Sequence, residues 1–73
     1  MNQWAIEYSV QQNAFHIDPL EAVNEKNLQI IKRGMTPEFV IIDITHTYDE
    51  ALKLSGAWKK IIEDWGLRNE NSI

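Results

Sequence analysis

The chain has 73 residues, no cysteine, 44% hydrophobic residues and a formal net charge of −4 at pH 7. These values predict one folded domain with a thin core, and they exclude disulfides, thiolate zinc sites and cysteine nucleophiles. The negative charge disfavours nonspecific binding to nucleic acid or to an anionic membrane, because both require a basic surface.

The N-terminal stretch, MNQWAIEYSV, has neither a basic region nor a long apolar core, so we expect no signal peptide. The longest apolar run, residues 39–42, is far too short to span a membrane. The lack of cysteine also fits a reducing compartment. We therefore expect a cytoplasmic protein that makes no contact with a membrane.

Two strands open the chain. Large apolar side chains occupy every second position of residues 4–10, and small or polar side chains occupy the positions between them. The alternation resumes over residues 14–18, as is typical of half-buried strands. A two-residue turn at positions 12–13 would join them into a hairpin. This register places Ser9 opposite His16 and turns the large apolar side chains of both strands to one face.

The sequence DPLE then predicts the start of a helix. Asp18 is expected to cap it and Pro19 to take its first position, where a missing N–H costs nothing. The helix should run to about Arg33, and Gly34 supplies the left-handed residue that commonly follows a helix.

A third strand and a second helix complete the chain. Residues 39–45 are rich in β-branched side chains, which favour strands. Thr47 begins a capping box, so the second helix should start there and run to about Trp65, with Gly66 ending it. Gly56 lies inside this helix at a cost of about 1 kcal/mol relative to alanine. We expect a large side chain, Trp4 or Met35, to pack close to it.

These elements predict an α+β fold, a ββαβα two-layer sandwich. Its three-stranded mixed sheet has the strand order 2-1-3, with two helices on one face and a right-handed crossover between strands two and three. The order 1-2-3 is the alternative. Residues 1–67 would form the single domain, and residues 68–73, which are polar, a flexible C-terminal tail.

This arrangement leaves the other sheet face uncovered and makes strand three an unprotected edge. A partly apolar, uncovered face is typical of a contact surface, and an open edge invites pairing with another chain. The predicted interaction surface consists of Phe39, Ile41 and Asp43, flanked by Glu7, Ser9 and His16.

Ser9, His16 and Asp43 also invite comparison with a catalytic triad, but the predicted order argues against one. A triad needs the histidine between the serine and the acid, whereas here Ser9 would lie between the other two. No glycine-rich turn is present to form an oxyanion hole. Two separated histidines match no metal-ligand spacing, so neither a metal nor a cofactor is expected.

The sequence therefore predicts a small non-enzymatic protein that binds a protein partner, a second copy of itself, or both. A compact domain of this kind would suit a phage, prophage or mobile-element accessory protein. The alternative is a small-ligand-binding or enzymatic domain, with a pocket between helices and sheet lined by Asn27, Tyr8 and Trp58. A third hypothesis, an acidic mimic of nucleic acid, is weakened because lysines are interleaved with the acids.

Overall fold

The computed structural model describes the backbone of residues 2–71 and the side chains of residues 2–65. Its elements in chain order are β1 (Trp4–Ser9), β2 (Ala14–Pro19), α1 (Leu20–Lys32), β3 (Val40–Thr45) and α2 (Tyr48–Asn71). The predicted α+β class and ββαβα order are confirmed.

The three strands form one open sheet in the order β2-β1-β3, which confirms the predicted order and rules out 1-2-3. β1 is antiparallel to both of its neighbours. The sheet is therefore antiparallel and not mixed as predicted, because β2 and β3 run parallel but are separated by β1 and do not pair.

The hairpin register differs from the predicted one by two residues. Ser9 lies opposite Ala14, and Glu7 lies opposite His16. The turn spans residues 10–13, and Asn13 adopts a left-handed backbone conformation with φ of 50°. A shift by two residues preserves which side chains share a face, because the side-chain period of a strand is also two. The predicted faces are therefore right, although the predicted partners across the hairpin are wrong.

The helices lie on opposite faces of the sheet, and in this respect the layers differ from the expected sandwich. Glu7 and Tyr8 are neighbours in β1, so their side chains point to opposite faces. Lys26 of α1 binds the Glu7 carboxylate, with Nζ 3.3 Å from Oε1. Trp58 of α2 lies in one groove with Tyr8. The molecule thus has three layers: α1, the sheet and α2.

Small side chains explain why α1 can cover the sheet face that the sequence predicts to be uncovered. Ala5 and Ser9 are fully buried on the α1 face, where Val23 also packs with almost no exposure. Small residues let the helix approach the sheet closely. On the α2 face, Ile6 and Ala51 are the fully buried apolar side chains. The core is therefore divided between the two sides of the sheet.

The start of α1 is not capped by Asp18. Pro19 occupies the N-cap position, and none of the described side chains caps the helix. The first helical N–H, that of Leu20, is instead donated to the backbone carbonyl of Gln3 at 2.9 Å. The chain segment before β1 thus satisfies a group that a capping side chain would otherwise bind.

The end of α1 follows the predicted pattern. Gly34 adopts φ of 77°, and its N–H is donated to the carbonyl of Ile31 at 2.9 Å. The next N–H, of Met35, is donated to the carbonyl of Ile30 at 3.1 Å. These two bonds form a Schellman motif, which requires a left-handed residue where glycine stands.

The predicted cap of α2 is confirmed, but its predicted end is wrong. The hydroxyl of Thr47 accepts the Glu50 N–H at 3.1 Å. The helix runs through Gly66 to Asn71 and so includes part of the stretch assigned to a tail, whose last two residues lie outside the described range. Among the described residues, nothing lies within 4 Å of a Cβ placed on Gly56, so neither Trp4 nor Met35 packs against it as expected.

Candidate interaction surface

The sheet face that carries Glu7 and Ser9 is covered rather than open. Both side chains are fully buried. The hydroxyl of Ser9 accepts the Gln12 N–H at 3.1 Å and so helps to fix the hairpin turn. These two members of the predicted interaction surface therefore cannot contact a partner in this conformation.

His16 and Phe39 lie together, as two aromatic rings stacked across the sheet. Their centroids are 4.1 Å apart and their planes differ by 10°. His16 belongs to β2 and Phe39 directly precedes β3, so the stack bridges the two outer strands over β1. Ile41, opposite Glu7, is half-buried. His16 and Ile41 thus lie on the α1 face, where the His16 ring remains exposed to solvent.

Asp43 lies on the other face of the sheet. β3 is irregular at Ile42, which leaves Asp43 opposite Ile6. The Asp43 carboxylate accepts the indole N–H of Trp58, with Nε1 3.0 Å from Oδ2. Asp43 therefore holds α2 against the sheet, and the fold separates it from Ser9 and His16.

A polar cluster occupies the α1 face at one end of the hairpin. Side-chain ligand atoms of Glu7, His16 and Asp18 lie within 4.8 Å of one another. The Lys26 ammonium donates to both carboxylate oxygens of Glu7, at 3.3 and 3.4 Å. This cation neutralises a carboxylate that has no exposure to solvent. Sequence reasoning missed the cluster because the predicted hairpin register placed Ser9, not Glu7, beside His16.

The three residues of the alternative pocket do not share a cavity. Tyr8 and Trp58 lie on the α2 face, whereas Asn27 belongs to α1 on the opposite side of the sheet. The Asn27 side-chain oxygen is buried and has no hydrogen-bond partner among the described residues.

An apolar groove lies between the hairpin and the C-terminal half of α2, with a volume of about 550 Å³. We call it the α2 groove. It is lined by Tyr8, Val10, Ile42, Trp58, Ile61, Ile62 and Trp65. Trp65 is 64% exposed and Ile61 is 52% exposed. The groove is therefore an accessible apolar surface that includes two tryptophans.

Unequal element lengths create this groove. α2 has 24 residues, which at 1.5 Å per residue is about 36 Å. The strands have 6 residues each, or about 20 Å. The helix begins at Tyr48, whose ring packs on that of Trp4 with centroids 5.1 Å apart, and then extends past the far end of the sheet. Its buried face is thus covered near Ala51 and uncovered near Trp65.

The groove lining offers few free hydrogen-bonding groups. The Tyr8 hydroxyl donates to the side-chain oxygen of Asn13 at 2.8 Å. The Trp58 indole N–H is bound to Asp43. Two polar atoms that could orient a polar ligand are therefore already used to hold the turn and the helix.

Comparison with known proteins identifies no relative. No protein family matches the chain, and no significant match was found among curated proteins or solved structures. Over the described residues, neither helix combines the length and the apolar character needed to cross a membrane.

Proposed function

We propose that this protein is a non-enzymatic binding protein whose α2 groove receives an apolar helix of another polypeptide chain. The observation that carries the proposal is the exposed apolar lining of the groove, with Trp58 at its base and Trp65 at its open end. Exposed apolar patches are typical of interaction sites, and tryptophan is enriched among the residues that dominate binding energy.

The chemistry of the lining favours a helix as the occupant. An extended segment needs backbone partners from a strand edge, whereas a helix satisfies its own backbone and presents apolar side chains. Because the polar atoms of Tyr8 and Trp58 are engaged within the protein, the groove recognises its occupant mainly through apolar contact. The fold separates Asp43 from Ser9 and His16, so these three residues do not form a triad.

A small apolar ligand is the second candidate. It is favoured by the groove volume of about 550 Å³, which lies within the range of small-molecule sites. Such sites normally add a few polar groups that orient the ligand, and the engaged Tyr8 and Trp58 do not provide them.

The proposal is tested with a displayed library of amphipathic helices that carry apolar residues at alternating spacings of three and four. The labelled full-length protein is the bait. We expect enriched helices whose binding is lost in Ile61→Glu and kept in Leu52→Glu. These two residues make a matched pair, since they are 52% and 48% exposed on the same helix and only Ile61 lines the groove.

The dye 8-anilinonaphthalene-1-sulfonate is a parallel probe for small apolar ligands. Groove-dependent dye binding without any enriched helix would replace the proposal with the small-ligand function. Enriched helices that bind Ile61→Glu as well as the unmodified protein would overturn the assignment to the groove.

A further inference from the structure

We infer that the occupant of the α2 groove is α2 of a second copy of this chain, packed antiparallel about a two-fold axis near Ile61 and Ile62. This inference rests on the proposed function and names its partner. Two neighbouring features of α2 carry it: an exposed apolar stripe and, beside it, a charged flank. When a second copy of the helix runs antiparallel, the positive charge on this flank of each copy lies opposite the negative charge of the other.

The apolar stripe of α2 continues from the buried part of the helix into the exposed part. After Ala51 it places Leu54, Trp58, Ile61 and Trp65 at alternating spacings of three and four. This is the spacing by which paired helices form a continuous seam. Ala51 is fully buried, whereas Leu54, Ile61 and Trp65 are exposed. The sheet thus covers the beginning of the seam and leaves the rest without a partner from the described part of the fold.

The exposed part of the seam lies beside the face of α2 that packs on the sheet. At about 100° per residue, Leu54, Ile61 and Trp65 lie within about 40° of one another around the helix axis. Trp58 and Ile62 lie to one side of this stripe, toward the sheet, and both are half-buried. A second helix that lies along the stripe would therefore contact the exposed residues and also reach the groove.

Charges on the other side of the stripe select the direction of the second helix. Lys60 and Asp64 are exposed and lie within about 40° of each other on this flank. In an antiparallel pair, this flank of one helix meets the same flank of the other. With the two-fold axis near Ile61 and Ile62, Lys60 of each copy lies opposite Asp64 of the other, so the pair occurs twice.

A parallel pair lacks this complementarity. It would bring the flank with Lys60 and Asp64 against the other flank of the second helix, which is apolar and turned toward its own sheet. The charges would then lose water without gaining a partner. The antiparallel arrangement instead places Trp65 of each copy beside Trp58 of the other, where the groove is open.

Sedimentation equilibrium of the full chain over a range of concentrations tests the inference. A single chain has a mass of 8.5 kDa, and we expect a reversible species of twice that mass. Ile61→Glu should be monomeric at concentrations where Leu52→Glu remains dimeric. Circular dichroism of both variants shows whether each is folded.

A charge exchange tests the antiparallel direction without disturbing the apolar surface. Lys60→Glu alone and Asp64→Lys alone should each raise the dimer dissociation constant by on the order of tenfold, because an attractive pair becomes repulsive at two symmetric places. The double variant Lys60→Glu, Asp64→Lys should restore the dissociation constant to within a few-fold of the original.

The outcomes separate this inference from the proposed function. A monomer at all concentrations that still binds library helices through Ile61 would overturn the inference and leave the proposed function standing. A dimer that Ile61→Glu does not weaken, or one that the charge exchange does not restore, would also overturn it. A monomer that binds no library helix would overturn both.

Discussion

Replacing Lys26 by methionine tests whether the buried carboxylate of Glu7 depends on its cation. Glu7 has no solvent exposure, and Lys26 Nζ lies 3.3 Å from one of its oxygens. Removing one partner of a fully buried ion pair costs about 3–5 kcal/mol, because the other charge is left uncompensated. The Lys26 side chain is 47% exposed, so solvent screens part of the interaction. We therefore expect Lys26→Met to lower the free energy of unfolding by about 2 kcal/mol.

Replacing Glu7 instead of Lys26 should lower the free energy of unfolding by less. In Glu7→Gln the ammonium of Lys26 can turn into water, and the amide keeps one acceptor, so we expect a loss of about 1 kcal/mol. The double variant Glu7→Gln, Lys26→Met should be more stable than Lys26→Met alone, since it contains no buried charge. Urea denaturation followed by far-ultraviolet circular dichroism measures all four proteins. A loss below about 0.5 kcal/mol in Lys26→Met would show that Glu7 is hydrated and refute the reasoning.

Three further pairs of substitutions test the local structure, each by thermal and urea denaturation. Gly56→Ala should raise stability by about 1 kcal/mol, because a Cβ there meets open space. Gly34→Ala should lower stability, because the backbone there is left-handed. Stability changes of the same sign in both variants would contradict this reasoning. Trp58→Phe should cost about 1–2 kcal/mol through loss of the bond to Asp43, and Asp43→Asn, which keeps an acceptor, should cost less. Thr47→Ala should cost about 1 kcal/mol and Thr47→Ser much less, and similar losses would mean that the hydroxyl does not cap α2.

The order of elements could be read from the sequence because it depends on local patterns. The alternation of side chains predicts the faces of both hairpin strands. Gly34 and Thr47 mark helix ends because each satisfies a need of the adjacent backbone: a left-handed residue after α1 and an acceptor for the first N–H groups of α2. The hairpin register could not be read in the same way, since a shift by two residues leaves the alternation unchanged. The observed register goes with a four-residue turn over residues 10–13, in which Asn13 is left-handed and accepts the Tyr8 hydroxyl.

The layer arrangement depended on contacts between distant residues. Glu7 in an alternating strand has the pattern of a solvent-facing side chain, and Lys26, 19 positions later, compensates its buried charge. Tyr8 and Trp58, two of the three residues of the alternative pocket, line the α2 groove, whereas Asn27 lies on the other side of the sheet. The exposure of Trp65 was missed because it follows from the length of α2 relative to the strands, which no local pattern records.

The central position of β1 has a kinetic consequence. β1 joins β2 across a four-residue turn, whereas its pairing with β3 closes a longer loop that contains β2 and the whole of α1. Closing the longer loop is the entropically costlier step, so we expect the hairpin to form first and the pairing of β1 with β3 to limit the folding rate. Stopped-flow refolding of Ile44→Val, in β3, should therefore be slowed, because contacts of β3 form in the rate-limiting step. Until β3 arrives, the nascent sheet exposes one edge of its future central strand, and this interval is when the chain is most open to pairing with a neighbour.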